Sequence, residues 1–67
     1  MSISARNKIQ GQISTIHPGE VMSLVTVQVV ENSLVAAITR QAIDELGLTQ
    51  GDAVTVLIKA TEVMLLK

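Results

Sequence analysis

Cysteine, phenylalanine, tyrosine and tryptophan are all absent from the 67 residues, and there is one proline and one histidine. Without cysteine no disulfide can staple the chain, and a lone histidine leaves no Cys/His cluster for a structural metal. The lack of thiols also fits a reducing compartment, so a cytoplasmic location is expected. Without aromatic rings there is nothing to stack on bases, a contact worth roughly 1 to 3 kcal/mol each in small single-strand-binding barrels. Charge is scarce too. Five Lys and Arg against six Asp and Glu leave a net charge of −1, which provides no field to draw in a polyanion. No stretch approaches the roughly 20 consecutive apolar residues of a membrane-spanning helix. Arg6 and Lys8 precede alternating apolar residues, not the continuous run of a signal peptide. Neither a nucleic acid nor a membrane is the expected partner.

What is present is apolar aliphatic side chain, 48% of the sequence being hydrophobic with a mean hydropathy of +0.47. A chain this short forms one domain, residues 1–67, and buries only about 60% of the surface its unfolded form exposes. The surplus apolar surface, with no staple to compensate, points to burial between subunits.

Ile9, Gly11, Ile13 and Thr15 alternate with Gln10, Gln12 and Ser14, the period of a strand running from Asn7 to Ile16. His17-Pro18-Gly19-Glu20 reads as a type II turn, with Pro18 presetting φ and Gly19 supplying a positive one. From Val21 to Val30 both phases of a second strand are apolar, which again calls for cover on two sides. Glu31-Asn32-Ser33 reads as a hairpin turn into a third strand, Leu34 to Ile38. The period then changes. Thr39 is an N-cap residue, Ala42, Ile43 and Leu46 recur at helical spacing, and Gly47 follows as a left-handed C-terminal cap, which together predict a helix of about two turns. After a turn at Gly51-Asp52, Val54, Val56 and Ile58 form a fourth strand, and Glu62 to Leu66 a short fifth. The expected fold is all-β: an OB-like five-stranded antiparallel barrel with one short helix between strands three and four.

Enzyme chemistry has no visible apparatus. His17 sits beside Pro18 in a turn, Asp44-Glu45 read as a solvated helix face, and Asp52 as a turn former. There is no glycine-rich phosphate loop, no paired histidine motif and no thiol nucleophile. Groups suited to holding an anion occur in separate places instead. Ser4-Ala5-Arg6 combine a hydroxyl, backbone amides and a planar guanidinium fork. Thr39 leads into a helix N-terminus, where Arg40, Gln41 and Ala42 have amides without intrahelical acceptors. Lys59-Ala60-Thr61 end the fourth strand, with Lys59 in the phase opposite Val54, Val56 and Ile58.

The opening Met1-Ser2-Ile3-Ser4-Ala5-Arg6-Asn7-Lys8, the junction Val35-Ala36-Ala37-Ile38-Thr39 and the ending Ile58-Lys59-Ala60-Thr61-Glu62-Val63-Met64 resemble molbindins, the single-domain Mop proteins. The resemblance covers essentially the whole chain. It implies a homohexamer, a trimer of dimers, that binds molybdate or tungstate at subunit interfaces for storage or homeostasis and catalyses nothing. Carried over by position, it implies an oxyanion site of Ser4, Ala5, Arg6, Lys59 and Ala60 from one subunit, with Thr39 and Ala42 from a neighbour. No side chain coordinates the metal directly. Relatives often carry serine where this chain has Ala42, so only an amide remains there. As an alternative, Leu46-Gly47-Leu48-Thr49-Gln50-Gly51-Asp52-Ala53-Val54 also resembles the motif of AbrB-type DNA-binding transcription factors. Such domains need cations aligned on one face, and five dispersed cations supply little such surface.

Overall fold

The computed structural model describes residues 6–67. Strands β1 (Asn7–His17), β2 (Met22–Val29) and β3 (Asn32–Thr39) lead into helix α1 (Arg40–Leu46), then strand β4 (Ala53–Ile58) and one 3-10 turn (Ala60–Glu62). Every pairing is antiparallel, and the sheet order is β3-β2-β1-β4. The eleven-residue β1 is shared: its first half pairs with β4, from Asn7↔Ile58 to Gln12↔Ala53, and its second half with β2, from Gln12↔Gln28 to His17↔Leu24.

Strict alternation along β1 fails at Ser14. The register steps from Ile13↔Val27 to Thr15↔Thr26, so Ser14 is the extra residue of a β-bulge, and its hydroxyl donates to the Thr26 carbonyl at 3.2 Å. The bulge inverts the phase. Thr15, expected on the packed face, turns to solvent and Ile16 packs against the core in its place. That core is small. Ile13, Val25, Val27 and Ile43 are buried, with Ile16, Val29, Ile38, Leu48, Val54 and Val56 packed around them.

Helix α1 is closed at both ends by local chemistry. The Thr39 hydroxyl accepts from the Ala42 amide at 3.1 Å, and Gly47 takes the left-handed conformation at φ 63°, ψ 38°. The Leu48 amide bonds to Ile43 O and the Gly47 amide to Asp44 O, the paired bonds of a Schellman motif. Ile43 and Leu48 both pack in the core cluster, and this apolar contact ties the seven-residue helix to the sheet.

Three turn and strand assignments change. Gly19 is not among the positive-φ residues, so no type II turn forms there. Glycine is required for space instead, because a Cβ at this position would run into the Met22 carbonyl oxygen. The β2–β3 hairpin turns at Val30-Glu31, closed by the Val29↔Asn32 pair, earlier than the expected Glu31-Asn32-Ser33. The fifth strand is missing among the described residues. A 3-10 turn occupies Ala60–Glu62, and Met64, Leu65 and Leu66 are 93%, 95% and 101% exposed with no strand partner. Among the described residues the sheet is therefore four-stranded and open, with β3 and β4 as its edges, and the expected fifth strand and barrel closure are not seen. Nor is β2 covered on both faces within the chain: Val25 and Val27 are buried, while Met22 and Leu24 on the opposite face are about half exposed.

Val30 adopts φ 53°, a left-handed value that is costly for a β-branched side chain, by about 1–2 kcal/mol. Positive φ at the first of two loop residues is the position that glycine serves in hairpins. Val30→Gly is expected to raise the thermal midpoint by about 4–8 °C for each kcal/mol recovered, read by circular dichroism. An unchanged or lower midpoint would show that the turn is relaxed with valine.

Candidate functional site

The anion-binding candidates fall into two groups. At one end of the sheet, the last ladder pair between β1 and β4 is Asn7↔Ile58, and Asn7 Nδ2 donates to the Ile58 carbonyl at 3.2 Å. One step further along the same register, Arg6 and Lys59 face each other at neighbouring strand ends, both exposed. Lys59 keeps extended backbone, φ −66° and ψ 140°, and Ala60 opens the 3-10 turn, where first-turn amides lack intrahelical acceptors. Ser4 and Ala5 lie outside the described residues.

Lys8 joins this group and is absent from the sequence-derived site. It pairs with Leu57, and both are exposed, in the same outward phase as Arg6 and Lys59, whereas Ile9 and Val56 turn inward. The signal was available as the i, i+2 spacing of Arg6 and Lys8 on a strand. Among the described residues the only ion pair is Arg40–Asp44, so Arg6, Lys8 and Lys59 have no carboxylate partner. Three uncompensated cations on one face favour an anion.

The second group is at the N-terminus of α1. A depression of about 500 Å³ is lined there by Glu20, Val21, Thr39, Arg40, Gln41, Asp44 and Glu45. The Arg40 guanidinium donates to Asp44 Oδ1 at 3.4 Å and to the Gly19 carbonyl at 3.5 Å. Two of the first-turn amides are already engaged: Arg40 N with the Val21 carbonyl at 2.8 Å, and Ala42 N with the Thr39 hydroxyl. Among these three, Gln41 alone keeps a free amide. An oxyanion taking the Ala42 amide would displace the cap bond. The carboxylates of Glu20, Asp44 and Glu45 make this end acidic, opposite in sign to the Arg6 end.

The two groups do not meet within one chain. Thr39 pairs with Met22 and Leu24 with His17, so the helix end lies beyond the C-terminal end of β1, while Arg6 precedes its N-terminal end. An eleven-residue strand at about 3.3 Å per residue separates them by roughly 30 Å, close to the 34 Å longest extent of the molecule. Residues with bland expected roles keep them. Asp52 accepts from the Thr49 amide at 2.9 Å and from its hydroxyl at 3.1 Å, closing the turn before β4. Asp44 and Glu45 are exposed on α1, and no group of His, Cys, Asp and Glu suited to a metal ion occurs among the described residues.

The sequence matches the TOBE domain over residues 3–65. It is 36% identical over 67 residues to molybdenum-pterin-binding protein 3 of Clostridium pasteurianum, covering 98% of each chain. A molybdenum transport protein, ModE, of Herbaspirillum seropedicae is 39% identical over 64 residues, 94% of this chain but 24% of that protein. Among solved structures, a molybdate-binding protein from Sporomusa ovata superposes with a TM-score of 0.95 at 43% identity, over 100% of both chains.

The Thr39 cap can be tested apart from any ligand. Thr39→Ala removes the hydroxyl acceptor of the Ala42 amide and is expected to cost about 0.5–2 kcal/mol, measured by denaturant unfolding. No loss of stability would mean that solvent caps α1 equally well.

Proposed function

The chain belongs to the TOBE domain family, among its molybdenum-pterin-binding proteins, and on that premise we propose that it is a cytoplasmic binding protein for molybdate or tungstate. Its role in this reading is storage or homeostasis, and it is not an enzyme. The observation that carries the reading is the cluster of Arg6, Lys8 and Lys59 on one face without carboxylate partners.

A tetrahedral dianion needs two positive charges and donors aimed at separate oxygens. Arg6 and Lys59 supply the charge, and Ser4, Ala5 and Ala60 supply hydroxyl and amide donors from the same subunit. Thr39 and the amides at Gln41 and Ala42 come from a neighbour, because the helix end of the same chain is roughly 30 Å away. Opposite charge on the two ends supports that arrangement: the cationic end of one copy fits the helix end of the next, which Glu20, Asp44 and Glu45 make acidic. Repeated around closed symmetry, such contacts build a homohexamer, a trimer of dimers, with sites at its interfaces. Charge-assisted hydrogen bonds are roughly twice as strong as neutral ones, and with two cations they offset the cost of stripping water from the ion. In this reading the larger size of molybdate and tungstate selects them over sulfate and phosphate.

Calorimetry tests the reading. Molybdate should bind at least about ten-fold more tightly than sulfate, which is about 1.4 kcal/mol. Arg6→Ala should weaken molybdate binding by about ten-fold or more, since a hydrogen bond to a charged group contributes about 1.5–3 kcal/mol. Equal affinity for the two anions, or an unaffected Arg6→Ala variant, contradicts it.

A further inference from the structure

We propose that Lys8 sets the charge preference of the site: without being a ligand, it favours a tetrahedral dianion over a monoanion of the same size. Lys8 has no assigned role in the oxyanion reading above, on which this one rests.

Strands β1 and β4 bring three cations to one outward patch. Continuing the register past Asn7↔Ile58, Arg6 stands opposite Lys59, while Lys8, opposite Leu57, is two residues along from both. Directly opposed residues have Cβ atoms about 4.5–5.5 Å apart and diagonal ones about 7–8 Å, and like charges at such positions destabilise a sheet. Yet a chain with only five Lys and Arg places three of them here. All three are exposed, and among the described residues none forms an ion pair. Glu31 at the β2–β3 turn and Glu62 on the 3-10 turn are the carboxylates on this half of the sheet, and they too are exposed and form no ion pair. An anion between the cations relieves their repulsion.

The three cations are not equivalent. Arg6 and Lys59 stand at strand ends, and the amides of the 3-10 turn follow Lys59 directly. Lys8 is set back by two residues, roughly 7 Å along β1, with its backbone in the β4 ladder. It acts on the ion through its field. Arg6 and Lys59 already balance a dianion, but in the shared site the neighbour's helix end adds Glu20, Asp44 and Glu45, of which Arg40 pairs only with Asp44. Those carboxylates repel any anion, and Lys8 offsets them. The energy of an ion in the field of Lys8 is proportional to the ion's charge, so a dianion gains twice what a monoanion gains.

Tungstate and perrhenate, tetrahedral oxyanions of nearly equal size with two negative charges and one, separate charge from shape. Tungstate affinity is measured by calorimetry and perrhenate affinity by competition with tungstate, on the parent, Lys8→Gln and Lys8→Arg. At roughly 8 Å with water-like screening, Lys8→Gln should weaken tungstate binding about five-fold and perrhenate binding about two-fold at low salt. Lys8→Arg should keep the parental values. Near 1 M salt, where the screening length is about 3 Å, Lys8→Gln and the parent should converge. The ion-free Lys8→Gln protein should melt no lower than the parent, because a repulsion has been removed. Equal losses for the two anions, a loss that survives high salt, a lower melting point, or Lys8→Arg as weak as Lys8→Gln would each overturn the proposal. Tungstate binding that falls in Arg6→Ala but not in Lys8→Gln rejects the role of Lys8 and leaves the oxyanion reading standing. A parent that binds neither anion overturns both.

Discussion

One strand keeps the candidate binding groups apart. β1 runs eleven residues between the Arg6 end and the helix end, and a β-strand cannot be shortened without losing its ladder. It is held along its whole length, by β4 over the first half and β2 over the second, so it cannot fold back to bring Arg6 toward Thr39. Any ion gripped by both groups is gripped by two copies. The fold thus converts a question of ligand chemistry into one of assembly.

The same limit shows in the packing. Among the described residues four hydrophobic side chains are buried, whereas Met22, Leu24 and Val35 remain exposed on the outer face of β2 and β3. The inner groove stays open between β3 and β4. A chain without cysteine or aromatic rings has few other sources of buried area, and association would add to it. In the proposed assembly, an oxyanion bound between copies is linked to association: it stabilises the associated form by mass action, and association raises affinity for the ion in return.

Much of this architecture was legible in the residues. Helix α1 was marked by Thr39 and Gly47, whose capping chemistry is local and needs no tertiary information. The main strands followed from alternation. What escaped depended on contacts between distant segments. The bulge at Ser14 exists because Ile16, and not Thr15, packs against the core opposite Val25. Gly19 is needed because the Met22 carbonyl crowds it, and the hairpin turns at Val30 because the Val29↔Asn32 pair sets the register. The fifth strand was read from an apolar run, yet residues 63–66 have no strand partner among the described residues. For the candidate site, the register brings Arg6 and Lys59 to neighbouring strand ends, and it puts Lys8, which was left out of the expected site, on the same face. The distance from Arg6 to Thr39 could not be read before the pairing of β1 was known.

Native mass spectrometry with and without molybdate measures subunit number and bound ion together. The account predicts a six-subunit assembly that gains molybdate in discrete steps, with no ion retained by free single chains. A monomer that holds molybdate by itself would contradict the claim that the site is shared between copies.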